Sequence, residues 1–591
     1  MATSATSAEN YLNPPPNVDP NVTVYHLLRM AEDFRIRKPP KYKLCLKSLM
    51  AAKKVPCNRE LMGRVEFQLG KCLWFYSKNT KLGTHHLENA YNIFKELGDR
   101  YACLQTVGLL GDIYLNDQDY QKVKSLLKGE IEVSKQYPFY HSRVLFLLAD
   151  AYYRSNDMER ALEVVKTGVH YFTEVQNPVI VCYFLLVKSL IYSTQSGNFQ
   201  TQLGVTVGEL GEILNTLPAD LPELDDIRAF CYTIQLSFFL SVGLYKNGRS
   251  CLGHLHNAVQ SASKREMNPK PHFRWLNSEM LTAVAYVFTV LTNVHLNNMD
   301  RAQRYYQTSI KHFETLKHCW GRSVWAIIER SHEYLAKNLE ILVYQEIAPT
   351  YLIKGDSENC LFCVSRSLDL MMKDQVLFNN FNAQVHCTLG MVACFHRRFK
   401  EAESQYTIAA TTANDLDLKL FSYLSMGLIF LYTGDSVNYY EMCGKITNFQ
   451  SNSKNLKAIL CLVNAFNSYI HGKVEDSKGH IAQCLNISRD EDMGRIQSLA
   501  SLLSSTLFKA RDVDAFSAGI SWADKLSDGS LKLWGYSQML ENAKVTQNEE
   551  NFNQANQQIA VLKASLAEDR SKIKSNKAFS LITWISDQLP N

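Results

Sequence analysis

An all-α solenoid of stacked helix pairs is the fold class this sequence predicts, and three observations predict it. Helical periodicity covers most of the 591 residues, with no convincing strand run or strand-helix-strand pattern. Turn-formers are scarce, 27 Gly and 15 Pro, which favours helices joined by short corners. A spacing also recurs. In LGMVACFHRRFKEAESQYTIAA (389–410), Gly390 is followed by a polar corner at Arg397 and Arg398, then by Ala402, Tyr406 and Ala409 at helical offsets.

The elements follow in chain order. Residues 1–21, MATSATSAENYLNPPPNVDPN, have no basic start and no apolar run, so they are expected to form a disordered arm rather than a signal peptide. Residues 22–580 are expected to form one continuous solenoid. Its first-helix small positions begin at Ala31, Gly70, Gly111, Ala149 and about Leu190, in steps of about forty residues. The slim position on the second helix follows twelve residues later at Val123 and Ala161. Two helices approach closely at a crossing only where such a residue sits, which is why the offset is fixed. After Gly70 the next matching residue is Ala90, which suggests a longer corner.

The middle, about 217–380, stays periodic with stretched steps, and Val290 with Ala302 marks one unit there. Regular steps resume at Gly390, Gly427, Ala465, Leu503 and Ala543, with Ala402, Tyr439 and Ser477 as second-helix partners. Corners such as NDQD, RSND, NNMD, TGDS and HGKV carry Asn, Asp and Gly, which favour turns and caps. Prolines in 214–226 and 264–275 make these the candidate long loops. Residues 581–591 read as a tail. The total is roughly a dozen pairs of tetratricopeptide type, each about a turn longer than that repeat's usual period of about 34.

Composition narrows the function classes. The 46% hydrophobic residues supply a large core, and a net charge of +5 is too small for a nucleic-acid coat, so direct nucleic-acid binding is not expected. Fifteen cysteines among apolar neighbours read as reduced, packed thiols. The longest apolar run, VIVCYFLLV (179–187), is less than half of the roughly 20 residues of a membrane span. A soluble intracellular protein is the expectation.

Motifs for chemistry are absent. There is no phosphate-binding loop, dinucleotide fingerprint, HExxH or GxSxG. Gly204, Gly208 and Gly211 in GVTVGELGEIL read as helix-packing residues, and Cys360 with Cys363 as buried thiols on one helix face, since zinc needs four ligands. His85, His86, His254 and His256 read as corner or surface residues, and Asp225 with Asp226 as a solvated pair. No catalytic, metal or cofactor site is expected.

What remains is a binding surface. First helices line the extended face of such arrays, and helical geometry places there Arg64, Lys71 and Trp74, then Gln105, Asp112 and Asn116, then Asp150 and Arg154. Two basic clusters, Arg35, Arg37, Lys38, Lys41 and Lys43, and Arg397, Arg398 and Lys400, could meet phosphate or an acidic partner.

The blocks RKPPKYKLCLKSLMAAKKVP, FQLGKCLWFYSKNTKLGTHHLENAYNIF, FRWLNSEMLTAVAYVFTVL, NAQVHCTLGMVACFHRRFKEAESQYTIA and SLITWISDQLP occur in an order that resembles the Mau family, the small tetratricopeptide subunit of the cohesin loader. The resemblance covers about residues 22–590. It implies a non-enzymatic adaptor, without cofactor, that wraps the extended N-terminal segment of the large HEAT-repeat loader subunit, the Nipped-B or Scc-two-like protein. It also implies action in the nucleus, placing cohesin on chromatin for sister-chromatid cohesion. The middle repeats and the groove side chains diverge from the family, so the binding mode carries over without contact residues. The alternative is a tetratricopeptide cargo or chaperone-type adaptor reading a short peptide.

Overall fold

In the computed structural model residues 19–585 are described, apart from 38, 78, 195–199, 265–275, 321–326, 448–450, 452 and 509–512. Twenty-eight helices follow one another, the last a 3₁₀ helix, and no strand occurs among the described residues. The first, α1 (Pro20–Ile36), opens with Pro20 in its first turn and the Asp19 carboxylate accepting from Asn21 N–H. Residues 1–18 of the expected arm, most of the 264–275 loop and the last six residues lie outside the described set.

A helix ends with carbonyls that lack partners, and the next begins with N–H groups that lack them. One corner design meets both needs. After α5 (Arg100–Asn116), Gln118 adopts φ 60°, the N–H of Asp119 donates to Tyr114 O at 2.9 Å, and its carboxylate accepts from the N–H of Lys122 in α6 (Tyr120–Lys128). The same device recurs at Asn156 and Asp157, and at Gly434 and Asp435. A left-handed residue closes one helix, and its neighbour caps the next. The sequence corners RSND and TGDS thus sit where expected.

The crossings support the spacing argument in part. Ser477 Oγ donates to Ala465 O at 2.8 Å across α22 (Lys454–Ile470) and α23 (Val474–Asp490). A Cβ on Gly427 would touch the Tyr439 ring at 3.8 Å. Three readings need correction. Gly70 in α3 (Arg59–Tyr76) meets Gly83, whose Cβ would lie 3.2 Å from Gly70 O, so the corner before α4 (Thr80–Leu97) is short and Ala90 is simply buried further along. The crossing near Leu190 belongs to Ser189, since Leu190 is exposed and Ser189 buried. Gly204, Gly208 and Gly211 face open space and pack against nothing.

The helices cluster into two compact units, Met1–Leu224 with Cys319–His332, and Asp225–His318 with Glu333–Asn591. The division follows the connection that holds Pro218 and Pro222. Asp225 and Asp226 do not sit in a solvated loop: both are buried in the first turn of α12 (Leu224–Val242), where free N–H groups and the helix dipole favour carboxylates.

Within the second unit the array curls back on itself twice. Tyr245, opening α13 (Tyr245–Lys264), shares an apolar cluster with Cys461, Cys484, Met493 and Ile496. The end of the chain, α27 (Glu549–Ser575) and the 3₁₀ helix Lys577–Thr583, returns to α17 (Ser357–Met371), α18 (Gln375–Phe395) and α19 (Phe399–Thr412). There the Gln405 amide donates to Ile582 O at 3.0 Å and Trp584 O at 2.8 Å, and the Trp584 ring stacks on His386 with centroids 4.8 Å apart. The expected tail is therefore partly built into the array.

Among the described residues one helix, α20 (Leu416–Thr433), has the length and mean hydropathy, 1.2, of a membrane span. Its Leu420, Leu424, Gly427 and Phe430 are buried within the array, as a core helix requires.

Candidate partner-binding surface

The eight groove candidates all fall in the first unit, on α3, α5 and α8 (Pro138–Arg154), the first helices of three successive pairs. Each helix turns its slim face to its partner, so its remaining polar positions line up with those of the next first helix. Arg64 and Gln105 line one cavity of about 410 Å³. Leu28, Ala31, Leu49, Phe67 and Phe94 give it apolar walls, while Glu32, Arg35 and Asp99 add charge. Asp112 pairs with Arg143 of α8, which also donates to Gly108 O at 3.4 Å, so α5 and α8 are tied across this face. Loss of hydration raises the Asp112 carboxyl above its usual range, although Arg143 opposes this.

Asp150 accepts from Arg154 Nε at 2.8 Å, Asn116 is exposed and Lys71 half-buried. Trp74 is a correction: at 3% exposure it belongs to the core, because it lies on the side of α3 that packs on α4 beside Gly83. The structure therefore brings together Arg64 with Gln105 and Asp150 with Arg154, and leaves Trp74 out.

The basic clusters are partly spent inside the chain. Arg35 Nε donates to Glu32 at 2.7 Å, which raises the Arg35 pKa and lowers that of Glu32. Arg37 lies over the Phe34 ring at 5.2 Å, Lys41 and Lys43 are exposed, and Lys38 is outside the described residues. Arg398 is taken by Glu401, while Arg397, held at φ 60°, and Lys400 are exposed.

Two clusters were not legible in the sequence. Glu66, 5% exposed, binds Lys53 Nζ at 2.9 Å and His86 Nδ1 at 2.5 Å. Burial pushes the Glu66 carboxyl up, and these two donors outweigh it and hold it below its usual value. His86 is thus a buried partner rather than a corner residue. The residues come from helices 13 and 20 positions away, so no local pattern announces them.

In the second unit Ser357, His396 and Asp569 meet. The Ser357 hydroxyl donates to Asp569 Oδ2 at 2.6 Å and lies 2.8 Å from His396 Nε2. A nucleophilic triad needs the carboxylate on the far ring nitrogen of the histidine and an accessible hydroxyl. Here the aspartate holds the serine itself, and Ser357 is fully buried, so the cluster fastens α27 to α17. Cys360 and Cys363 are buried as expected, and loss of hydration pushes the Cys363 thiol up to about 12. No group of three metal-ligating side chains occurs among the described residues.

Known proteins match along nearly the whole chain. The "MAU2 chromatid cohesion factor homolog" of Aedes aegypti is 23% identical over 591 residues, covering 95% of this chain and 92% of its own. That of Drosophila ananassae is 21% identical over 584 residues, covering 95% and 89%. The crystal structure of Scc4 in complex with Scc2n superposes with a TM-score of 0.61 at 10% identity, covering 93% of this chain and 99% of that one, which shows the shared helical fold. Residues 43–550 match the family described as Cohesin loading factor, and with more than half its length so matched, the chain belongs to that family.

Proposed function

We propose that this chain is the small, non-enzymatic subunit of a cohesin-loading heterodimer, and that the first-helix face of its first unit takes the extended N-terminal segment of the large HEAT-repeat loader subunit. In this reading it works in the nucleus, on chromatin, in sister-chromatid cohesion. Family membership supports it, as does the partner named with the Scc4 structure. The observation that carries it is the apolar-walled cavity of about 410 Å³ between α1, α3 and α5, with Arg64 and Gln105 at its lining. Such a face suits a long segment with apolar anchors separated by polar contacts.

Ordering that segment costs about 2–5 kcal/mol of the gross interaction energy, so contact must extend over many residues. The test is co-expression of this chain with the N-terminal few hundred residues of the loader subunit, followed by limited proteolysis. A stable 1:1 complex with long protected stretches of the partner supports the reading, and Arg64→Glu with Gln105→Ala is expected to weaken it. Protection of a short peptide terminus alone would favour a generic tetratricopeptide adaptor.

A further inference from the structure

The wall of the cavity in the first unit holds two cysteines that the loader reading does not use. Cys45 comes from α2 (Tyr42–Lys54) and Cys72 from α3, and both line the space of about 410 Å³. Their sulfurs lie 3.6 Å apart although the residues are 27 positions apart in the chain. The pair packs with Ala31, Leu49, Leu69 and Leu73 in one apolar cluster, so this wall is also where α1, α2 and α3 meet. Glu32, Arg64 and Tyr101 line the same cavity and are exposed, so the space beside the two buried sulfurs opens to solvent.

A buried cysteine is ordinarily inert, because apolar surroundings disfavour the thiolate. Loss of hydration pushes the Cys231, Cys251 and Cys387 thiols up to about 12 in this way. Cys45 goes in the other direction. A hydrogen bond from the Cys72 thiol lowers its pKa and Arg35 adds to that, while burial and Glu32 oppose it without prevailing. The same bond keeps the proton on Cys72 and raises its pKa. One sulfur is thus prepared to attack, and a second thiol stands against it to capture the product. A metal ion is a poorer occupant, since zinc takes four ligands and no group of three metal-ligating side chains occurs among the described residues.

We propose that Cys45 and Cys72 are a modification site, oxidised to a disulfide by hydrogen peroxide, and that the disulfide closes the cavity to the segment it takes, the second half resting on the loader reading. The Cys45 thiolate attacks one peroxide oxygen. An S–O bond forms, the O–O bond breaks, and the departing hydroxide takes up the proton that Cys45 gave up and leaves as water. The Cys72 sulfur then attacks Cys45 Sγ, an S–S bond forms, and the hydroxyl leaves as a second water with the Cys72 proton. Two electrons pass from the thiols to the peroxide. A disulfide places its sulfurs about 2.05 Å apart, so the 3.6 Å contact closes by about 1.5 Å. Turning the two Cα–Cβ bonds and drawing α2 toward α3 supply that movement. Leu49, on α2 and in the cavity wall, moves with it, and a close-packed wall transmits the shift.

The test treats the reduced full chain with hydrogen peroxide, alkylates it in denaturant and maps its peptides by mass spectrometry. The expected product is a Cys45–Cys72 link, lighter by two hydrogens, formed before Cys57 is oxidised and reversed by dithiothreitol. Cys57 is the control, because it is the more exposed of the three and exposure alone would oxidise it first. No link, or oxidation of Cys57 ahead of the pair, overturns the site, and this readout needs no variant that has to fold. The labelled N-terminal loader segment is then titrated by fluorescence anisotropy. Oxidation is expected to weaken its binding about tenfold, as closing one anchor pocket does, with recovery in dithiothreitol. Binding to the Cys72→Ala chain is expected to be indifferent to peroxide. Equal affinity of the reduced and oxidised chains overturns the regulation and leaves the loader reading standing. A reduced chain that does not bind the segment overturns the loader reading and the regulation with it, while the mapped link still decides the thiol pair.

Discussion

At Gly70 a methyl group would sit 2.6 Å from Leu87 Cγ, 2.9 Å from Gly83 O and 3.0 Å from Leu87 N. Two of these atoms are backbone and cannot swing aside. Gly70→Ala is therefore expected to cost about 2 kcal/mol in urea unfolding. Gly204, within α11 (Gln200–Thr216), meets nothing within 4 Å, so Gly204→Ala is expected to gain up to about 1 kcal/mol through helix propensity. The sequence shows two helical glycines, and only the environment gives their substitutions opposite signs. His141 makes a second case. It is 1% exposed, its Nδ1 lies 2.8 Å from Ser134 Oγ, and the Ser134 hydroxyl already donates to Ile131 O at 2.8 Å. Nδ1–H must therefore donate, and a proton on Nε2 would find no acceptor among the described residues. Burial accordingly lowers its pKa from 6.5 to about 4. The folded state binds this proton less readily than the unfolded one, so stability present above pH 6.5 declines as pH falls toward 4, by roughly 3 kcal/mol. Thermal unfolding of His141→Asn is expected to show a flatter profile over that window; an unchanged slope would remove His141 as the cause.

At the scale of elements, the corners carry a stated share of stability. Asp157→Ala removes the carboxylate that caps α9 (Met158–Glu174) and is expected to cost about 1 kcal/mol. The returning C-terminus is a larger piece. Gln405, 1% exposed, donates to two backbone carbonyls and lies 2.5 Å from His386 Nδ1. Gln405→Leu leaves those partners unsatisfied, and Trp584→Ala removes the ring stacked on His386. Hydrogen exchange of residues 382–405 is expected to speed up in both variants, and unchanged protection would mean that the returning segment adds no stability there. The corner sequences announced their caps because an Asx cap is written within four residues. The clasp joins Gln405 to Trp584, positions 179 apart, and no periodicity reports a contact of that separation. His86 was misplaced for the same reason, since its character is set by Glu66 and Lys53 on other helices.

For the whole molecule, repeat arrays hold together through neighbouring units, so a local defect stays local. Gly70→Ala is expected to raise hydrogen exchange in the first compact unit. Gly390→Ala, whose Cβ would lie 2.9 Å from the Tyr406 ring, is expected to raise it in the second. Spread of either effect through both units would show a single cooperative fold. The amino-acid sequence by itself determined the all-α class, the pairing of helices, the position of most corners and the family, because these rest on periodicity and on contacts between near neighbours in the chain. Tertiary structure alone decided that Trp74 is core, that Arg35 and Arg398 are already paired, that Ile582 and Trp584 are clasped by Gln405, and that Tyr432, Tyr440 and Ile470 stay exposed. Each of those outcomes depends on which distant side chains arrive at the same place, and a helical pattern fixes the face a residue occupies without fixing what meets it there.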